Sequence, residues 1–95
     1  MDKIITLENN RYKLIKNYKD GFNSEEITSK YTDYFEDYDY IVGDYAYSKL
    51  RLKGFCNKKN KRYKKFNDFS LVDDYIKNDC AYECAYFILE KVNEV

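Results

Sequence analysis

The sequence contains no histidine, no tryptophan and no proline. Because histidine is the only side chain that titrates near neutral pH without help from its surroundings, its absence excludes Ser-His-Asp and Cys-His catalytic relays and imidazole metal sites. Three cysteines cannot complete a zinc site of four protein ligands within one chain. The sequence therefore predicts no metal, no cofactor and no catalytic residues, although an enzyme that works through carboxylates or thiols remains an open alternative.

Long apolar runs are also missing. The longest, residues 85–89, is far shorter than the roughly 20 residues that span a bilayer. The first residues do not form the apolar segment that directs secretion, and the cysteine count is odd. We therefore expect a cytoplasmic protein that does not insert into a membrane, with its cysteines serving as small buried residues.

The chain has enough apolar residues for one core. Leucine, isoleucine, valine and phenylalanine occupy 23 of 95 positions, which is sufficient for folding and leaves no room for a second core. We expect a single domain over residues 1–95. Basic and acidic residues number 17 each, so the whole molecule has no charge that would attract nucleic acid. Any such partner must be bound by a local patch.

The first half of the chain predicts a hairpin followed by a helix. Apolar residues on either side of Asn9-Asn10 indicate two strands joined by a turn, since asparagine tolerates positive φ. Asn23 and Glu26 have the spacing of a capping box that starts a helix. Residues at helical spacing then predict its core-facing side, namely Ile27, Tyr31, Tyr34, Phe35 and Tyr38.

The second half predicts another hairpin, a short helix and a last strand. Residues 40–45 and 49–55 have the composition of antiparallel partners, and Ser70 with Asp73 indicates a second helix start. Residues 84–92 are apolar on both alternating faces, which favours a central strand, although a helix continuing from Ser70 also fits them. The predicted fold is α+β, mainly an antiparallel sheet with two helices packed on it.

Several blocks cover nearly the whole chain in a defined order. They are residues 10–12, 17–23, 31–34, 39–44, 50–55 and 80–91, the last containing Cys-Ala-Tyr-Phe-Ile-Leu-Glu-Lys. These blocks resemble the YutD-like family of small bacterial proteins. The resemblance implies an α+β fold and a cytosolic protein of low-GC Gram-positive bacteria or their relatives, and it implies no established activity. The sequence departs from the family at residues 45–48, where relatives are expected to carry tryptophan or a turn with glycine.

The charges are segregated along the chain. Residues 20–45 carry eight acids against one base, whereas residues 46–66 carry nine bases and no acid. We expect the acids, including Asp37, Asp39 and Asp44, to face solvent. The bases begin on one face of a strand, opposite Leu50 and Leu52, and continue into a loop.

This basic stretch is a candidate nucleic-acid-binding site, because lysine and arginine neutralise phosphates and tyrosine stacks on bases. The candidate residues are Lys49, Arg51, Lys53, Lys58, Lys59, Lys61, Arg62, Tyr63, Lys64 and Lys65. The expected function is a non-catalytic binding module that contacts RNA or a ribonucleoprotein through the basic hairpin and loop.

Two other interpretations of the same residues remain. A charged strand and loop also keep a protein soluble and protect a sheet edge, without any partner. Alternatively, the protein is an adaptor or a homodimer that uses its tyrosine-rich surface, because tyrosine brings a large contact area at little rotamer cost. Tyr45 and Tyr47 are the candidate interface residues.

Overall fold

A computed structural model describes residues 3–19, 21–46, 49–79 and 85–92. The strands are β1 (Lys3–Leu7), β2 (Asn10–Tyr18), β3 (Tyr40–Ala46), β4 (Lys49–Phe55) and β5 (Tyr86–Lys91). The helices are α1 (Ser24–Lys30) and α2 (Val72–Asp79), with 3₁₀ turns at Asp33–Phe35, Lys65–Asn67 and Phe69–Leu71. The five strands form one antiparallel sheet in the order β1-β2-β5-β3-β4. The predicted α+β fold is confirmed.

Strand β5 is the centre of the sheet. It pairs with β2 on one side and with β3 on the other. Three successive side chains, those of Phe87, Ile88 and Leu89, are buried. Successive strand residues point to opposite faces, so this burial requires that both faces of the sheet be covered. The predicted central strand is confirmed, and the helical alternative is wrong for residues 86–91.

Each face of the sheet has its own core. On one face Ile41 and Phe87 pack with Ile27 of α1. On the other face Val42 and Ile88 pack with Val72 of α2, as expected from the alternation along β3 and β5. The two helices therefore cover opposite sides of the sheet.

Helix α1 begins at the predicted cap but ends early. The side-chain oxygen of Asn23 accepts the amide of Glu26 at 3.0 Å. The helix ends at Lys30, and the chain turns into a 3₁₀ segment, so the predicted helix is wrong beyond Tyr31, although Phe35 packs against the core as predicted. Tyr34, expected in the core, is 63% exposed.

Two interactions explain this early end. The hydroxyls of Thr28 and Ser29 donate to backbone carbonyls of the preceding turn, a local bonding pattern that disfavours helix interiors. Tyr31 then enters the core, where its hydroxyl lies 2.8 Å from that of the fully buried Tyr12. This contact bonds the hydroxyls of both buried rings and ties the residue at the end of α1 to β2.

Two local predictions miss by a few residues. In the first hairpin the positive φ of 56° belongs to Glu8, not to an asparagine. Before α2, Ser70 lies inside a 3₁₀ turn, and its amide donates to Asp68 Oδ1, so the capping residue of that turn is Asp68. The second hairpin pairs as predicted, with Asp44 opposite Arg51.

Neither helix in the described part of the chain is long and apolar enough to cross a membrane.

The packing around β5 can be tested by a substitution at Gly43. A Cβ atom at this position would lie 2.1 Å from Cζ of the buried Phe87 ring. We expect Gly43→Ala to lower the free energy of unfolding by about 1–3 kcal/mol, because the fully buried ring must shift to admit the methyl group. In a Phe87→Leu background the same change should cost less, since the clashing atom is gone. Urea denaturation of the four proteins measures this coupling, and strictly additive losses would contradict the packing described.

Candidate nucleic-acid interface

The basic residues of β4 are on one face, as predicted, but two of them, Arg51 and Lys53, contact other side chains. Arg51 binds the Asp44 carboxylate through two bonds, Nε to Oδ1 at 3.1 Å and Nη2 to Oδ2 at 2.7 Å. Asp44 is fully buried, so the prediction that it faces solvent is wrong. The cause is the register: Arg51 is directly opposite on the neighbouring strand and supplies the positive charge that a buried carboxylate needs.

Lys53 and Lys49 differ in their surroundings. The ammonium group of Lys53 lies 5.5 Å from the ring centre of Phe55 and 5.8 Å from that of Tyr75, which are cation–π distances. Lys49, at the other end of β4, is exposed. Seven residues of extended strand separate Lys49 from the loop that follows β4, so the predicted basic stretch is not one continuous patch.

The loop that follows β4, residues 57–66, is called here the cationic loop. Its first turn is held by a carboxylate from the segment before β3. Asp39 Oδ2 accepts the Asn57 amide at 2.8 Å and the Asn60 side-chain amide at 3.0 Å. The Asn60 amide group also donates to the carbonyl of Asp37 at 2.7 Å. Three hydrogen bonds thus fix the start of the loop to the end of the sheet.

The end of the cationic loop is held by Asn67, which is buried. Its side-chain oxygen accepts the Lys64 amide at 2.7 Å, and its side-chain nitrogen donates to the Arg62 carbonyl at 3.0 Å. The Asn67 carbonyl accepts the amide of Cys56 at 2.8 Å. The end of the loop is therefore bonded to Cys56, the residue that follows β4, and the loop backbone has a defined conformation.

Two of the predicted binding residues support the loop itself. Arg62 forms an ion pair with Asp37 at 3.0 Å. The Tyr63 hydroxyl donates to Asp68 Oδ2 at 2.8 Å. This bond raises the pKa of Tyr63, while the Ser70 amide and the Tyr63 hydroxyl lower the pKa of Asp68. The Asp68 bonds therefore stabilise the loop at neutral pH and weaken in acid, where Asp68 is protonated, and the Tyr63 bond is also lost in strong alkali, where the tyrosine ionises.

Five lysines of the cationic loop are directed to solvent. They are Lys58, Lys59, Lys61, Lys64 and Lys65. None of their ammonium groups forms an ion pair with another described residue. Phe66, which sequence reasoning overlooked, is 70% exposed among them. The structure therefore brings together a positively charged surface with one exposed aromatic ring.

An open groove of about 580 Å³ runs beside the cationic loop. Its basic lining residues are Lys59, Lys61, Arg62 and Lys91, and its acidic ones are Glu36, Asp37 and Asp39. Asp37 and Asp39 are bonded to the loop, and the ammonium group of Lys91 donates to the Glu36 carbonyl. Lys91, on β5, is a further basic residue that the sequence did not connect with this surface.

The remaining candidates lie elsewhere. Tyr45 is half-buried in the core under α1, where burial and the nearby Glu26 raise its pKa. Tyr47 lies outside the described residues, as do Cys80 and Cys84. Cys56 is fully buried, as expected of a small core residue, and burial raises the pKa of its thiol. In the described ranges no group of three or more cysteines and carboxylates could hold a metal ion.

The fold and this surface define a small α+β protein with a structured cationic loop. A family model described as "Putative antitoxin YutD-like" matches residues 6–90, and the chain belongs to this family. It is 41% identical to the protein named "Putative antitoxin YutD" of Bacillus subtilis (strain 168) over 91 residues, covering 96% of this chain and 100% of that protein. The solution NMR structure of protein yutD from B. subtilis matches with a TM-score of 0.81 and 40% identity, over 98% of this chain and 84% of that one.

The pair Asp44 and Arg51 can be tested by a double-mutant cycle. Arg51→Gln leaves a buried carboxylate without its guanidinium partner, and we expect it to lower the free energy of unfolding by about 2 kcal/mol or more. Asp44→Asn combined with Arg51→Gln should cost less than the sum of the single changes, because no charge is then left buried. Equal additive losses in urea denaturation would show that Arg51 contributes independently of Asp44.

The cationic loop can be tested at Asn67. We expect Asn67→Ala to lower the free energy of unfolding by about 1–3 kcal/mol and to remove hydrogen-exchange protection at the Lys64 amide, which loses its acceptor. Asn23→Ala is the matched control, because it removes the cap of α1 at similar cost and should leave the Lys64 amide protected. Unchanged exchange at Lys64 in Asn67→Ala would refute the anchoring role.

Proposed function

We propose that the protein is a non-catalytic cytosolic binding module that contacts RNA or a ribonucleoprotein through the cationic loop. The observation that carries this proposal is the set of five exposed lysines on a loop whose backbone is held by its own hydrogen bonds. Such a loop presents its charges without first having to be ordered, so less entropy is lost on binding.

The charge of the surface supports a polyanionic partner. The whole molecule is neutral, so long-range attraction to nucleic acid is weak and binding depends on the local lysines. Each lysine that contacts a phosphate releases condensed counterions, which favours binding and makes it sensitive to salt.

The contacts described above support a smaller set of binding residues than the sequence predicted. In this proposal Lys58, Lys59, Lys61, Lys64 and Lys65 contact the partner. Arg62 and Tyr63 hold the loop through Asp37 and Asp68. Arg51 is paired with Asp44, and Lys53 lies against the rings of Phe55 and Tyr75. We therefore assign the strand residues a smaller contribution to binding.

The proposal predicts the effect of removing loop charges. The variant with Lys58, Lys59, Lys61 and Lys64 all changed to Gln should fold normally and bind a short single-stranded RNA more weakly. Its plot of log affinity against log salt should also become flatter, by about 0.7 for each phosphate that the variant no longer neutralises. Fluorescence anisotropy over a series of salt concentrations measures both quantities.

A control variant that loses the same number of charges outside the loop distinguishes the effect of the loop from that of the molecule's overall charge. Lys3, Lys16, Lys30 and Lys77 are exposed outside the loop, and their joint change to Gln removes the same four charges. This control should retain most of the affinity and of the salt slope. If both variants lose affinity equally, or if the wild type does not bind RNA, the proposed site is wrong.

A protein partner is the second candidate, and the family description favours it. The matching family and its Bacillus relative carry the description "Putative antitoxin", and an antitoxin by definition counteracts a toxin. A domain of this kind can act by binding, as an adaptor or as a homodimer, with Tyr45 and Tyr47 as the interface residues predicted from the sequence. Purification from its own cytosol with and without ribonuclease distinguishes the candidates, since a protein complex persists after ribonuclease treatment whereas an RNA complex is lost.

A further inference from the structure

We infer that Phe66 stacks on a base of single-stranded RNA, so that the cationic loop prefers single strands to duplexes. This inference rests on the proposed function and names the class of RNA. It assigns a role to a residue that the sequence pattern did not single out.

The exposure of Phe66 is unusual among the aromatic residues of this protein. Phe55 and Phe87 are fully buried, and three further phenylalanines, Phe22, Phe35 and Phe69, pack against the cores. Phe66 is 70% exposed, the largest value among the exposed large apolar residues that the structure describes. A phenylalanine ring in water forgoes about 1.5–3 kcal/mol of burial energy, so its position requires an explanation.

The position of Phe66 is well suited to stacking. The residue lies in the 3₁₀ turn Lys65–Asn67, between the exposed Lys65 and the buried Asn67. Asn67 fixes the turn through the Lys64 amide and the Arg62 carbonyl, so the backbone that carries the ring is held in place. Lys64 and Lys65 directly precede the ring in the sequence and are exposed, so they supply positive charge that can attract the phosphates of a stacked nucleotide.

The chemistry of the ring selects single strands. Phenylalanine has no hydrogen-bonding group, so it recognises the face of a base and not its edge. Base faces are covered by neighbouring bases in a duplex but are available in single-stranded RNA. Lysines alone bind both forms, because both carry phosphates. The ring therefore adds affinity for single strands only.

The experiment compares three fluorescent probes: a short oligouridine, an abasic strand with the same backbone, and an RNA duplex of the same length. We expect Phe66→Ala to weaken binding of oligouridine by at least about fivefold while leaving the abasic strand and the duplex unchanged. Phe66→Tyr should bind oligouridine about as well as the wild type, because it keeps an aromatic face. Tyr34→Ala is the matched control, since it removes a similarly exposed ring outside the loop and should have no effect.

Each other outcome overturns the inference in a different way. If wild-type protein binds oligouridine through the loop lysines and Phe66→Ala binds equally well, stacking is wrong and the proposed function stands. If Phe66→Ala weakens all three probes alike, the ring acts only through the shape of the loop. If wild-type protein binds none of the probes but binds polyglutamate, the surface serves an acidic protein, and the proposed function fails together with the inference.

Discussion

Strand β5 is the constraint on which the rest of the fold depends. It lies between two hairpins that are formed earlier in the chain, and its residues are buried on both faces. Both faces must therefore be covered, and α1 and α2 each cover one. To place α2 on the second face, the chain must travel from the edge strand β4 round the end of the sheet. Residues 56–71 make this crossing, and this is the reason that the cationic loop lies at the surface.

A surface loop of this kind cannot be held by apolar burial, so it is held by short polar side chains. Asp39, Asn60 and Asn67 capture backbone amides and carbonyls of the loop and its neighbours, which is the role that such residues play in turns. The acids that precede β3 thus meet the bases that follow β4. The segregation of charge along the sequence is partly cancelled in the fold, and the lysines that remain exposed are those whose ammonium groups form no ion pair with a described acid.

The sequence predicted those features that depend on neighbours along the chain. The Asn23 cap, both hairpins and the central strand at residues 86–91 follow from local spacing and alternation. It could not predict the early end of α1, because Tyr31, the residue at which the helix ends, contacts Tyr12, 19 residues away in the sequence. The burial of Asp44 depends on the strand register, and the exposure of Phe66 depends on how Asn67 closes the loop. The basic stretch of the sequence therefore predicted a larger continuous positive surface than the structure has.

Arginine and lysine have different roles in this protein, and the difference limits what the surface can recognise. Two of the three arginines, Arg51 and Arg62, direct their guanidinium groups at the carboxylates of Asp44 and Asp37. The planar fork that reads guanine edges and binds phosphate with two bonds is thus used to hold the fold. The loop presents lysines, which act as point charges and distinguish sequences poorly. In the proposed RNA-binding function, selectivity would therefore come from the shape of this surface and its exposed ring, not from hydrogen bonds to base edges.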